Sequence, residues 1–423
     1  MGDLFRSVPS LERPATGLGV PGTPAPPTTL PRLQIVPPSE WTEGFVSEWS
    51  ALLEESGEPR VFLSPEWILA WWRAYGQTLE PRMLVARDEA GRLAALAPMY
   101  VRPPRLGGFK VLRFMSDEGP GSEYLGVLCR KGLEASFLEA LVFEGARDCA
   151  LVDLQGLRED GLQARLAAAI LSRGSKVLVH KERHACYCVR LPSNYEAYLL
   201  SLKPKFRSTI RHRTNKLLKN TTTRLVRTAS AEDLERHLAC LFDLHQRRWR
   251  QDGLPGVFGD KAKRAFYRDF ALAFQRRGWL RFYHLEVDGT IRASQIGFAF
   301  GGVFHSLQEA FDPSYRPPGI SGLGVVLRGM AIRECIAEGL SGYDFLGWEG
   351  EIKERWGTEM LFVQRLRAAA PGLAGALAFG TGPGRSMAWA FFRRHSPGWV
   401  FRLRNSVRDR IRAVRARAVE DES

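Results

Sequence analysis

The sequence predicts a mixed α/β fold arranged as two successive units. Three observations point there. Helix-like and strand-like segments alternate along most of the chain. Each half carries an antiparallel hairpin pattern, and in the second half a helical segment separates that hairpin from a later strand, as a crossover requires. The chain has 423 residues, and at about 100–200 residues per domain two or three domains are expected.

Residues 9–38 contain nine prolines and little apolar periodicity, so residues 1–32 read as a disordered or polyproline-like leader. From 33 to 192 the chain reads as a first domain. "SPEWILAWWRAYG" opens with Ser64 as a helix cap and Pro65 at the first helical position. "RMLVARDEAGRLAALAPMYV" is a strand, a turn at Asp88–Gly91 and a second strand. Residues 193–368 repeat the order. "AEDLERHLACLFDLHQRRWRQDG" and a segment around Lys261–Arg276 are helical. Asp288-Gly289 and Gly301-Gly302 are hairpin signals. "GLGVVLRGMAIRECIAEG" is a helix closed by Gly339, and "YDFLG" is the next strand. The hairpins at 82–101 and 280–300 occupy similar places in the two halves, which suggests a duplication.

Residues 369–423 form a Gly/Pro-rich linker and a tail. Val400, Leu403, Val407, Ile411 and Val414 are spaced by three and four, with arginines between them. This is the pattern of a basic amphipathic helix.

The net charge of +14 is concentrated. Residues 203–227 hold nine Lys or Arg and no acid, and residues 385–417 hold ten Arg against Asp409. Such local cationic surfaces suit phosphates or anionic lipids. In the first of them, Phe206, Ile210 and Leu217 lie at helical spacing, giving an amphipathic helix. Motifs of sequence-reading nucleic-acid modules are absent. The six cysteines form no CxxC pair, so neither a metal nor a disulfide framework is expected. His237 and His245 lie on one helix face without a third ligand at metal spacing, so packed or surface imidazoles are expected. No stretch of about 18 apolar residues exists, and no secretory signal is visible. The expected location is the cytoplasm, with peripheral contact at the inner membrane face through the tail.

"YDFLGWEGEIKERWGTE" at 343–359 carries the densest functional signal. Strands of α/β sheets deliver ligand contacts at their C-terminal ends. Asp344 points opposite to Tyr343 and Phe345. Glu349 and Lys353 are placed to pair if 351–356 is helical, with Ile352 and Trp356 sharing its inward face. The plain alternative is a charged helix capped by Gly357 and pinned by Trp356.

Together with "QIGFAFGGVFHSLQEAFDPSYRPPG" upstream, this segment resembles the second domain of FemAB/CelD-like proteins of the GNAT acyltransferase superfamily. Tyr343, Asp344, Phe345, Glu349, Lys353, Arg355, Trp356 and Gly357 stand where that family has its strand, acidic loop and K-x-R-W-G turn. "KPKFRSTIRHRTNKLLK" and "LFDLHQRRWRQDG" extend the resemblance over 195–367. The first half is similar to the partner domain of the double-GNAT arrangement.

The resemblance implies two tandem GNAT-like mixed-sheet domains with helices on both faces. It implies acyl transfer from acyl-CoA, acetyl-CoA first, to an amine or hydroxyl of a cell-envelope or exopolysaccharide precursor. The expected partner is an anionic saccharide or a nucleotide-linked precursor, and no metal is required. Candidate catalytic residues are Asp344, Glu349 and Lys353. Arg355, Trp356, Gln295 and Asp312 are candidates for substrate binding. "RPPGISGLG" supplies Arg316, Gly319, Ser321 and Gly322 for the CoA phosphates, but it departs from the usual phosphate loop. Serine replaces its last small residue, and two prolines remove amide donors. Two alternatives stay open: a non-catalytic scaffold for polysaccharide synthesis at the membrane, and an aminoacyl-tRNA-dependent transferase binding tRNA through 203–227.

Overall fold

The computed structural model describes residues 32–102, 108–173, 179–251, 253, 256–317, 322–347 and 351–380. The Pro-rich leader and the basic tail helix lie outside them. In chain order the first unit holds β1 (Gln34–Val36), α1 (Glu43–Glu55), α2 (Pro65–Tyr75), β2 (Glu80–Arg87), β3 (Leu93–Arg102), β4 (Val111–Phe114), β5 (Leu128–Cys129), α3 (Glu134–Ala140), β6 (Leu151–Arg158), α4 (Leu162–Arg173) and β7 (Val179–Arg190). After α5 (Tyr195–Ser201) and α6 (Pro204–Asn220), the second holds β8 (Thr223–Arg227), α7 (Ala231–Gln251), α8 (Lys261–Arg276), β9 (Leu280–Val287), β10 (Thr290–Phe300), β11 (Val303–Phe311), α9 (Leu323–Ala337), β12 (Gly342–Asp344), α10 (Glu351–Glu354) and β13 (Glu359–Ala369). A short helix, α11 (Leu373–Phe379), follows.

Local chemistry explains these boundaries. The Ser64 hydroxyl accepts the Trp67 N–H at 3.3 Å, so the expected cap of α2 is present. Asp288 and Gly289 both have positive φ, as do Gly301 and Gly302, which is what two-residue type I′ hairpins need. At the end of α9, Gly339 (φ 77°) lets its own N–H reach the Ile336 carbonyl, while the Leu340 N–H reaches Cys335.

Apart from the short extra strand β5, the two units share one order: strand, two helices, three strands, helix, strand, helix, strand. They join in a single 13-stranded sheet of order β1-β2-β3-β4-β6-β13-β7-β12-β11-β10-β9-β8, with β5 on β3. The last strand of each unit is therefore exchanged. β13 pairs with β6 of the first unit, and β7 pairs with β12 of the second. The two exchanged strands pair with each other antiparallel, from Glu359 opposite Cys188 to Ala368 opposite Val179. The expected boundary at 192/193 falls between β7 and α5, but neither half closes its own sheet.

The central strands are covered on both faces; β3 is buried at every position except Arg102. An aromatic seam ties the units together. Trp67 of α2 is fully buried against Phe266, Phe270 and Phe274 of α8, at 4.9, 5.0 and 5.9 Å between centroids. A second core gathers Tyr187 and Val189 of β7 with Tyr343, Phe345, Trp356, Ile210 and Leu217.

Among the described residues, His237, His245 and His284 are buried. Thr228 Oγ1 lies 2.8 Å from His237 Nδ1 and 3.0 Å from His284 Nε2, and His284 Nδ1 lies 2.9 Å from Ser294. Burial drives the His284 pKa well below the ordinary value, with His237 adding to the effect. His245 accepts the Trp249 indole N–H at 2.8 Å, and burial lowers its pKa from 6.5 to about 4. Its proton is bound by the unfolded chain below 6.5 but by the folded chain only near 4, so its stabilising contribution is lost as pH falls through that window. His245→Gln, which keeps an acceptor for Trp249, is expected to flatten the stability profile between those pH values. The flattening should be on the order of 3 kcal/mol, read from urea unfolding at a series of pH values.

Candidate active site

β11 and β12 run parallel for three paired positions, ending with His305 opposite Asp344. β11 then continues to Phe311 while β12 stops, and the two strands part. The stop has a local cause. Asp344 turns its carboxylate back to accept the Leu346 N–H at 2.7 Å, and Leu346 takes the left-handed conformation (φ 58°). The Tyr124 hydroxyl donates to the same carboxylate at 2.7 Å, and His305 Nδ1 lies 3.4 Å away. Burial alone would raise the Asp344 pKa, but His305, Tyr124 and the Leu346 amide outweigh it and hold it low. Asp344 is thereby the buried anchor of the loop.

Lys353 on α10 faces that loop. Its ammonium donates to the carbonyls of Phe345 at 3.0 Å, Leu346 at 3.2 Å and Gly347. It is half-buried, and burial lowers its pKa. It clamps the opening rather than standing free in an exposed turn. α10 is a single turn, so the expected inward face does not form: Ile352 is 63% exposed while Trp356 is fully buried. The Trp356 carbonyl accepts the Tyr198 hydroxyl at 3.1 Å, and its ring meets Phe206 edge-on at 5.0 Å. Trp356 is thus packed in the core, whereas Arg355 is exposed.

Gln295 and Asp312 are both buried. Gln295 is fully buried and donates to Ser306 at 3.1 Å, Glu309 at 2.5 Å and Tyr343 at 2.5 Å. Asp312 is buried between Arg292 at 2.8 Å, Arg247 at 3.4 Å and the Ser314 amide at 3.0 Å. Both brace β10 and β11 through these contacts. Arg328 of α9 pairs with both Glu309 oxygens, at 3.0 and 2.5 Å, and lies 5.5 and 5.3 Å over the Phe345 and Trp356 rings. Arg316 is exposed, and Gly322 (φ 81°) begins α9. Glu349, Gly319 and Ser321 lie outside the described residues.

The sequence reading missed a contribution from the first unit. Because β7 pairs with β12 at Cys188 opposite Asp344, the alternating residues His184, Cys186 and Cys188 share the Asp344 face. The loop after β4 lies over this row. Glu123 Oε2 is 2.9 Å from His184 Nε2, and the Tyr124 hydroxyl is 3.9 Å from Cys188. Ser116 and Tyr124 in this loop have positive φ (63° and 54°). Such strain costs about 1–3 kcal/mol per residue and collects at functional sites. The Gly-rich run "SDEGPGSEY" was the available signal, but it carried no spacing that joined it to 343–359.

The same place in the first unit is built differently. The last parallel pair there is Arg113 opposite Asp153. Arg365 of β13 binds Asp153 through two bonds at 2.7 and 2.5 Å, and Arg113 holds Asp117 at 2.6 Å. Arg113, Asp117, Asp153 and Arg367 are all buried. Their ion-pair network stands where the second unit has His305, Asp344 and Cys188.

Residues 204–356 match a family model described as an acetyltransferase (GNAT) domain. Two solved structures share the fold. One is FemX, at 11% identity over 79% of this chain and 96% of that one, with a TM-score of 0.52. The other is a conserved protein of unknown function from Bacteroides thetaiotaomicron, at 14% identity over 77% and 97%, with a TM-score of 0.53. No curated protein matches the sequence. The match to the acetyltransferase (GNAT) domain model falls within the second unit, and the chain as a whole shares the fold of FemX.

Tyr124→Phe removes one donor from the buried Asp344 carboxylate and leaves the packing intact. A loss of about 1–3 kcal/mol is expected in denaturant unfolding with an unchanged slope.

Proposed function

We propose that this FemAB-like double-GNAT chain moves an acyl group from acyl-CoA, acetyl-CoA first, to an amine or hydroxyl of a cell-envelope or exopolysaccharide precursor. The observation that carries the reading is the parting of β11 from β12 beyond His305 and Asp344, beside a loop whose three carbonyls are held by Lys353. The thioester would lie in that opening, its phosphates toward Gly322 at the start of α9 and the exposed Arg316. The acceptor nitrogen or oxygen attacks the thioester carbonyl, the C–S bond breaks, and CoA leaves as a thiolate that takes up, directly or through solvent, the proton the acceptor loses. The chain's share of the work is positioning and shielding from water, which suits a loop fixed from both sides. An anionic saccharide or nucleotide-linked precursor is the acceptor class favoured by the exposed Arg355.

Lys353 then acts on the site through the loop. Lys353→Met keeps the stem and removes the charge. Turnover is expected to fall at least about tenfold at saturating substrates with the circular dichroism spectrum unchanged. Wild-type turnover at both saturating and limiting acceptor would remove Lys353 from the mechanism. Heat on titration with acetyl-CoA separates this reading from a scaffold, which needs no donor.

One observation favours an aminoacyl-tRNA donor as the second reading. α6 buries Ile210 and Leu217 and exposes Lys205, Arg211 and Lys219, and Arg213 reaches the start of α9 beside Gly322. That reading requires tRNA binding that weakens steeply with salt.

The Arg-rich tail supports a peripheral contact with an anionic bilayer. Among the described residues no helix is long and apolar enough to cross a membrane. Removing 385–423 is expected to abolish co-sedimentation with anionic liposomes while leaving turnover of a soluble acceptor intact. Equal binding by the truncated protein would refute the contact.

A further inference from the structure

Where the two units meet, Glu123, His184 and Cys186 each turn one ligand atom toward a common point. Those atoms lie within 4.8 Å of one another, and the closest pair, Glu123 Oε2 and His184 Nε2, is 2.9 Å apart. Bonds of about 2.0–2.3 Å at tetrahedral angles place donor atoms roughly 3.3–3.8 Å apart, so small side-chain shifts would bring all three onto one ion. We propose that these residues form a binding site for a single divalent cation of the Zn2+ type, with the fourth position left to water.

Several features fit an ion better than a simple hydrogen-bonded pair. The donor set is one carboxylate oxygen, one imidazole nitrogen and one sulfur, a mixture suited to a borderline-soft metal rather than to Mg2+ or Ca2+. A carboxylate and a thiolate together neutralise a divalent charge, which lowers the cost of burying it; binding releases the thiol proton to solvent. Glu123 is 7% exposed and Cys186 fully buried, whereas the His184 side chain is 38% exposed and leaves a route for the ion and its water. Gly347 packs against Glu123: a Cβ there would come within 2.2 Å of Oε1, so a larger residue would push the carboxylate out of this position. Gly347 is also one of the three carbonyls held by Lys353. The ion would therefore join three parts of the molecule: the first unit's loop, the exchanged strand β7, and the loop at the acyltransfer opening. It makes the order of that opening dependent on metal, whatever the acyl donor is. The site was invisible in the sequence because Glu123 and His184 are 61 positions apart.

The test uses the full chain, stripped with a chelator and reloaded with Zn2+ or Co2+ alone. The expected result is one equivalent of Zn2+ retained through gel filtration, with a raised thermal midpoint. The Co2+ form should show a thiolate-to-metal charge-transfer band. Cys186→Ser should abolish that band and Cys188→Ser should keep it. His184→Ala and Glu123→Gln should each weaken Zn2+ binding by about 100-fold or more. Should His184→Ala fail to fold, Glu123→Gln and the Cys186→Ser spectrum decide the matter. Failure of the wild type to retain Zn2+, or retention and charge transfer unchanged in Cys186→Ser, overturns the proposal.

Discussion

The antiparallel pairing of β7 with β13 is the constraint on which the rest of the molecule depends. Each strand ends one unit in sequence and completes the sheet of the other in space. Without the exchange, β6 and β12 would both present open hydrogen-bonding edges in the middle of the protein, where an unpaired backbone is costly. With it, the edges close and the sheet runs unbroken from β1 to β8. The aromatic seam between α2 and α8 then has a fixed partner on each side, which lets Trp67 be fully buried.

The same exchange decides the chemistry of the two sites. At matching positions, the borrowed strand gives the first unit Arg365 and Arg367, and gives the second unit Cys186 and Cys188. Two arginines beside Asp153 make a closed ion-pair network. Such a network tolerates burial only while its charges stay paired, which ties the Asp153 carboxylate to its arginines. Two thiols beside Asp344 make no such demand. The carboxylate is satisfied by a tyrosine hydroxyl and a backbone amide, and the strands are free to part. The same strand order carries an ion-pair network in one unit and two thiols in the other because of a few side chains on the exchanged strands.

Strain sits at the same junction. Ser116, Tyr124 and Leu346 hold left-handed conformations on the two loops that meet over Asp344. The carboxylate accepts from both Tyr124 and the Leu346 amide, so one buried charge holds both loops in conformations they would not otherwise keep. Lys353 adds a second lock on the far side of 345–347. Preorganisation of this kind suits a transferase whose main contribution is placement.

Much of the architecture was legible in the sequence, because it follows from short-range chemistry. The Ser64 cap, the Asp288-Gly289 and Gly301-Gly302 turns and the Gly339 helix stop each depend on a few neighbouring residues, and each appears where its pattern placed it. The repeat of hairpins announced the duplication, and "YDFLG" to "ERWG" marked the strand and turn that border the opening. The roles of the marked residues were not legible. A side chain's burial and partners depend on residues far away in sequence, so Asp344 became an anchor, Lys353 a clamp, and Gln295 and Asp312 braces. The meeting of Glu123 and Tyr124 with His184, Cys186 and Asp344 is purely tertiary. Local periodicity says which face of β7 a residue occupies, but only the strand exchange says which sheet that face belongs to.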